Sequence, residues 1–245
     1  GTQYLGMGEV LAKSEPAFET ALAKAAAALM RFGAPDIRTI IWPSTRNEEA
    51  KELLTRTTNT QTAIFAIEYA LAELWRSWGI VPKGVLGHSI GEFCAAVVAG
   101  VMSLEDAARL VTARGRMMQN MPGGVMITVA LDERRAAAFL RSGIWLCAVN
   151  TFDSCVLGGA HQDIAELENE LKRRDVETRR LKTSHAFHSG MMEPMLEDFS
   201  AEVAKVSLHA PNITWVSSLT GLSLGPNDTI SPDYWVRQIR QPVRF

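Results

Sequence analysis

Val85-Leu86-Gly87-His88-Ser89-Ile90-Gly91-Glu92 reads as a short strand, a sharp turn and the opening of a helix. The turn-forming Pro82-Lys83-Gly84 precedes it, and the Ala/Val-rich stretch from Glu92 to Ala99, closed by Gly100, is apolar enough to form a buried helix. Val85 and Leu86 are expected to be a buried strand. A serine at such a turn projects from the backbone, and glycines at 87 and 91 let the turn close without Cβ clashes. The helix N-terminus behind Ser89 offers unpaired N–H groups to a developing oxyanion, that of Ile90 first among them. The pentapeptide alone also occurs in ordinary turns. The strand before it and the helix after it make Ser89 a candidate nucleophile.

Working outward, Ser14-Glu15-Pro16 opens an alanine-rich helix that runs to Arg31 and stops at Gly33-Ala34-Pro35. From Thr60, residues Ile64, Phe65, Ile67, Ala70, Leu71, Leu74, Trp75 and Trp78 recur at three- and four-residue spacing until Gly79, which reads as a core-facing helix stripe. Ser103 caps a further helix reaching about Asn120, with Arg114 near its end. From Val125 to Leu181 the pattern becomes strand (125–130), helix (133–142), strand (144–149), strand (154–158), helix (161–174) and strand (177–182). That βαββαβ order is the ferredoxin-like unit. A helix over 190–205, a strand around Ile213 to Val216 and a short helix from Tyr234 to Arg240 follow. The expected fold class is α/β: an α/β-hydrolase-like, parallel-sheet catalytic subdomain, discontinuous over 1–123 and 184–245, with a ferredoxin-like subdomain inserted over 124–183.

The bulk properties narrow the function. The chain has 245 residues, 47% hydrophobic and 21% charged, which suits one large α/β unit with a smaller insertion. A net charge of −2 supplies no basic field for nucleic acid or an anionic membrane surface. Cys94, Cys147 and Cys155 are odd in number, lack C-x-x-C spacing and lie in apolar stretches, which fits a reducing, cytoplasmic setting. No metal-ligand pattern stands out, no apolar run is long enough for a membrane helix, and the start at Gly1 reads as a segment of something longer.

Gly87-His88-Ser89-Ile90-Gly91-Glu92 resembles the nucleophile motif of the malonyl-CoA:acyl-carrier-protein transacylase family, which includes the acyltransferase domains of polyketide and fatty acid synthases. The resemblance extends along the chain. Gly1 to Gly8 resembles the end of the family's N-terminal Gly-Gln-Gly-x-Gln motif, and Thr60-Gln61-Thr62-Ala63 its Gln-Pro-Ala segment, with Thr62 in place of proline. Arg114-Gly115-Arg116-Met117-Met118-Gln119 resembles the arginine motif, Ala148-Val149-Asn150 the insertion's central hairpin, and Ser184-His185-Ala186-Phe187-His188-Ser189 the histidine motif. Tyr234-Trp235 through Phe245 resembles the closing segment.

The resemblance implies a malonyl-type domain of a polyketide synthase and a set of roles. His188, not His185, would be the general base, and a pKa near 6.5 would suit it at neutral pH. The base would be oriented by a backbone carbonyl, carried over to Gln238, with no acidic third member. Arg114 would bind the substrate carboxylate, with His88, Gln61 and Met118 also around the substrate. Phe187, with Ile90, would select malonyl over methylmalonyl, and Asn150 would support the site. The implied substrate is malonyl-CoA, with no bound cofactor, and the implied partner is the phosphopantetheine thiol of an acyl carrier protein. Neighbouring ketosynthase and linker domains are implied as well, and the family's first strand, with a second oxyanion donor, is placed upstream of Gly1.

Two other readings stay open. A serine hydrolase or thioesterase of Ser-Asp-His order has Asp106, Asp132, Asp153, Asp163 and Asp175 available between Ser89 and His188. A catalytically silent docking module of the same fold is the other, against which intact Ser89, His188 and Arg114 speak.

Overall fold

A computed structural model describes residues 2–245. Five helices come first: α1 (Glu9–Ser14), α2 (Pro16–Arg31), α3 (Ile37–Ile41), α4 (Glu48–Thr55) and α5 (Thr57–Ser77). Proline at the first position of α2 needs no amide partner there, and the face carrying Phe18, Ala21, Leu22, Ala25 and Leu29 is buried. Its small side chains let α5 approach closely. α5 begins three residues earlier than the apolar stripe requires, and its buried face carries Phe65, Ala66, Ala70 and Leu74. Trp75 and Trp78, expected in the core, are instead about half exposed and meet edge to face at 5.2 Å. The stripe is broader than the face the core covers.

The deciding stretch folds as β1 (Gly84–Leu86), a turn, and α6 (Gly91–Val98), followed by α7 (Leu104–Gln119), whose N-cap Ser103 accepts a hydrogen bond from the Asp106 N–H. β1 corrects one expectation: it is not buried, and Leu86 is 55% exposed. Among the described residues it pairs on one edge only, parallel to β6 (Thr214–Val216), so its other edge and one face lack cover. β6 in turn pairs antiparallel with β7 (Ser223–Leu224).

The chain then builds the ferredoxin-like unit: β2 (Val125–Val129), α8 (Glu133–Ala137), β3 (Ile144–Thr151), β4 (Ser154–Gly159), α9 (His161–Arg173) and β5 (Thr178–Arg180). α8 is half the expected length. Strand alternation sorts its side chains. Val125, Ile127 and Val129 join Leu157, Ile164 and Leu167 beneath the helices, while Met126, Cys147, Ala148 and Val156 face the opposite way, toward Ala186. The return path contains a 3₁₀ turn (Gly190–Met195), α10 (Leu196–Val203) and α11 (Pro232–Arg240). Pro194 explains why 190–205 is not one helix, because it removes a helix hydrogen bond and clashes with the preceding turn.

The chain closes with β8 (Val243–Arg244), which pairs parallel to β3 and extends the sheet order to β5-β2-β4-β3-β8. The small sheet therefore draws a strand from outside the 124–183 span. The fold is mixed α/β, a large α/β subdomain plus a small ferredoxin-like one. Among the described residues no helix is long and apolar enough to cross a membrane.

Candidate active site

The turn between β1 and α6 is held open by backbone geometry that few residues tolerate. Ser89 has φ 54°, in the left-handed region that non-glycine residues seldom occupy. A Cβ on Gly87 would lie 2.2 Å from the Gly91 carbonyl carbon, so residue 87 has to be glycine for the turn to close. The N–H groups of Gly91 and Glu92 bond back to the carbonyls of His88 and Ser89, whereas that of Ile90 has no acceptor among the described residues. One free backbone donor is thereby left beside the serine.

His188 reaches Ser89 from ninety-nine residues away: its Nε2 lies 2.6 Å from the serine Oγ. Its Nδ1 lies 3.2 Å from the Gln241 carbonyl. A carbonyl only accepts, so Nδ1 carries the proton and donates, which leaves the Nε2 lone pair to accept from the serine hydroxyl. None of the candidate aspartates meets the ring. The orienting carbonyl that makes this bond belongs to Gln241, where Gln238 was expected. The Gln238 carbonyl also faces the ring, and its side-chain amide donates to the Ser89 carbonyl at 2.8 Å.

Burial also overturns the expected pKa. With the ring buried and the positive Arg114 nearby, the imidazolium is disfavoured and His188 is held down to about 3. The ring is therefore neutral across the whole physiological range. His185, by contrast, bonds Ser184 Oγ at 2.7 Å and the Met121 carbonyl at 3.1 Å, and fastens the loop.

Arg114 is 2% exposed and, among the described residues, forms no salt bridge with a carboxylate. Its guanidinium donates to Gln61 Oε1 at 2.6 Å and to Ser89 Oγ at 3.1 Å, while its buried Nε has no acceptor. Burial draws its pKa down to about 9, opposed by the negative charge of Glu92, so it remains charged at neutral pH. Gln61 is aimed in turn by Met118, whose sulfur accepts from its amide at 3.2 Å. Met118 was expected to touch substrate, but it is wholly buried behind Gln61 and does not line the cavity.

The cavity, roughly 910 Å³, lies between the two subdomains. Ser89, Ile90, His188, Arg114, Gln61 and Phe187 line it from the large side, and Met126, Cys147, Ala148 and Val156 from the small sheet. His88 and Asn150 bridge its mouth, 2.9 Å apart. Sequence reasoning missed one acid here. Glu68, on α5, lines the cavity behind Gly91, and burial raises its pKa to about 7 while one carboxyl oxygen stays unpartnered. Its helical spacing carried no sign of this, since it sits between two apolar positions as a solvent-facing acid would.

A large α/β subdomain carrying a small ferredoxin-like one matches solved structures of acyltransferases. The chain belongs to the acyl transferase domain family, which matches residues 1–245. It is 42% identical over 246 residues to the mycoketide-CoA synthase of Mycobacterium tuberculosis, covering all of this chain and 6% of that protein. The acyltransferase domain from the second module of the salinomycin polyketide synthase superposes with a TM-score of 0.91 at 41% identity, over 100% of this chain and 56% of that one. The malonyl CoA-acyl carrier protein transacylase from Coxiella burnetii superposes with a TM-score of 0.87 at 25% identity, over 99% of this chain and 77% of that one. The chain thus spans a small part of the length of the curated relatives it matches.

Proposed function

We propose that this domain moves a malonyl group from malonyl-CoA to the phosphopantetheine thiol of an acyl carrier protein through an ester on Ser89. The observation that carries the reading is the 2.6 Å contact between Ser89 Oγ and His188 Nε2, beside a buried cation that has no carboxylate partner among the described residues. His188 takes the hydroxyl proton as Oγ attacks the thioester carbonyl, and the developing oxyanion is met by the Ile90 N–H. The imidazolium then protonates the departing CoA sulfur. In the second half the neutral imidazole takes the proton of the carrier thiol, whose sulfur attacks the ester, and returns it to Ser89.

Arg114 supplies the selectivity for a diacid. A guanidinium fork binds a free carboxylate through two parallel charge-assisted hydrogen bonds, and Gln61 presents it. Phe187 lines the cavity, and a bulky ring there would crowd an α-methyl, which favours malonyl over methylmalonyl. His88 meets the incoming thioester at the mouth, and Asn150 supports it there through their hydrogen bond. The domain works without a bound cofactor or metal, in the cytoplasm, among ketosynthase and linker domains of a polyketide synthase. The large subdomain comprises 1–123 and 184–245, and the small one 124–183.

The test is a mass measurement after mixing with malonyl-CoA. A malonyl adduct on Ser89, absent in Ser89→Ala and discharged by carrier protein, is the expected outcome. Full-rate hydrolysis without carrier would make the protein a hydrolase, and no adduct at all would make it a silent module. The carbonyl partner of His188, in place of an aspartate, favours the transferase over the hydrolase.

A further inference from the structure

Glu92 follows the serine by three residues in the first turn of α6 and is entirely buried, yet among the described residues no cation lies within salt-bridge distance of it. Its carboxyl instead gathers donors from the far end of the chain. Oε1 accepts the Ser218 N–H at 2.8 Å and the Tyr234 O–H at 2.5 Å, while Oε2 bonds the Ser218 hydroxyl. The donors are ordered behind it: the N–H groups of Leu219 and Thr220 bond Ser217 Oγ, which lies 2.7 Å from the Tyr234 oxygen. With its own proton on Glu92, Tyr234 accepts from Ser217, and the network runs in one direction.

Tyr234 lies on α11, and α11 brings both closing contacts of the site. The Gln238 amide holds the Ser89 carbonyl, and Gln241 immediately after the helix holds His188 Nδ1. Apolar packing also joins these elements, since Phe93 and Trp235 rings lie 4.6 Å apart. Aromatic packing tolerates sliding, whereas a fully bonded buried carboxylate accepts one arrangement only.

We propose that Glu92 is the positioning residue that locks α11 onto the serine elbow, fixing the Gln241 carbonyl at His188 and the Gln238 amide at Ser89. This rests on the acyl-transfer reading of the site, and it adds a residue that neither touches substrate nor carries the proton. Its effect is on the tautomer and aim of the base.

The experiment combines ¹⁵N NMR of the His188 ring with malonyl loading kinetics in the wild type, Glu92→Ala, Glu92→Gln and Tyr234→Phe. The wild type is expected to show a single Nδ1–H tautomer. Glu92→Ala should give a tautomer mixture and a loading kcat lower by about a hundredfold, with KM for malonyl-CoA nearly unchanged. Glu92→Gln keeps an acceptor for Ser218 and Tyr234 and should restore most of both signals. Should Glu92→Ala not fold, Tyr234→Phe carries the test by removing one donor alone, with a smaller shift in the same direction. A single tautomer and an unchanged kcat in every folded variant would overturn the proposal and leave Trp235 packing as the sole clamp. A wild type that forms no adduct would sink the acyl-transfer reading instead, and the tautomer comparison would still decide the positioning.

Discussion

Burial gives His188 a neutral ring, and this sets the pH behaviour of the site. Its folded value of about 3 lies well below the ordinary 6.5, so free protein keeps its base at acid pH. The kcat/KM for malonyl-CoA should therefore stay level from about pH 8 to about pH 5, where an unperturbed histidine would already have lost most of the rate. A steady-state pH profile checks this, and a break near 6.5 would contradict it. Glu68 shifts the other way. Its folded value of about 7 exceeds the ordinary 4.5, so the folded state binds the extra proton between those values and loses stability as pH rises through them. Glu68→Gln should raise the urea midpoint at about pH 8 by an amount worth at most about 3 kcal/mol, with no gain at about pH 4. Arg114→Ala should lower malonyl loading about 10- to 100-fold more than acetyl loading, because only the diacid loses charged hydrogen bonds. Equal losses in a competition assay would make the arginine structural.

Among the elements, the serine elbow is the most constrained. Its φ of 54° at Ser89 and the 2.2 Å approach at Gly87 mean that α6 can follow β1 only if residue 87 has no side chain. Gly87→Ala should cost about 4 kcal/mol or more, read as a large drop in thermal midpoint, since backbone and not a flexible side chain blocks the added methyl. The elbow was legible in the sequence because glycine and serine at fixed offsets between a strand and a helix have few other uses. The partner of His188 was not. A backbone carbonyl is present at every residue, so nothing in the side chains of 238–241 distinguishes Gln241 from Gln238. Met118 misled for a related reason: its place in the arginine motif puts it near the site, while the rotation of α7 decides whether it faces cavity or core. The half-exposed Trp75 and Trp78 make the same point, because periodicity identifies a helix face without saying how far the core extends over it.

At the scale of the molecule, β8 joins the two subdomains. Val243 is 2% exposed against Met126, Cys147, Ala148 and Val156, directly after the turn that carries Gln241. Val243→Ala should lower stability by about 2 kcal/mol and also slow malonyl loading at temperatures where the protein is fully folded. A stability loss with unchanged loading would uncouple the strand from the base. The βαββαβ unit, the long helices and the serine elbow follow from local pattern, because alternation, helical spacing and glycine placement act over a few residues, whereas the histidine motif is read from its resemblance to the family. What the chain order alone could not settle is which distant segments meet: β8 on β3, Glu92 with Ser218 and Tyr234, a carbonyl under His188. Those contacts join segments 53 to 126 residues apart or more, as in the Gln241 and Ser218 bonds, and they exist only once those distant segments have packed together. Their cause is burial itself, which forces each hidden polar group to find whichever partner the packed chain brings within reach.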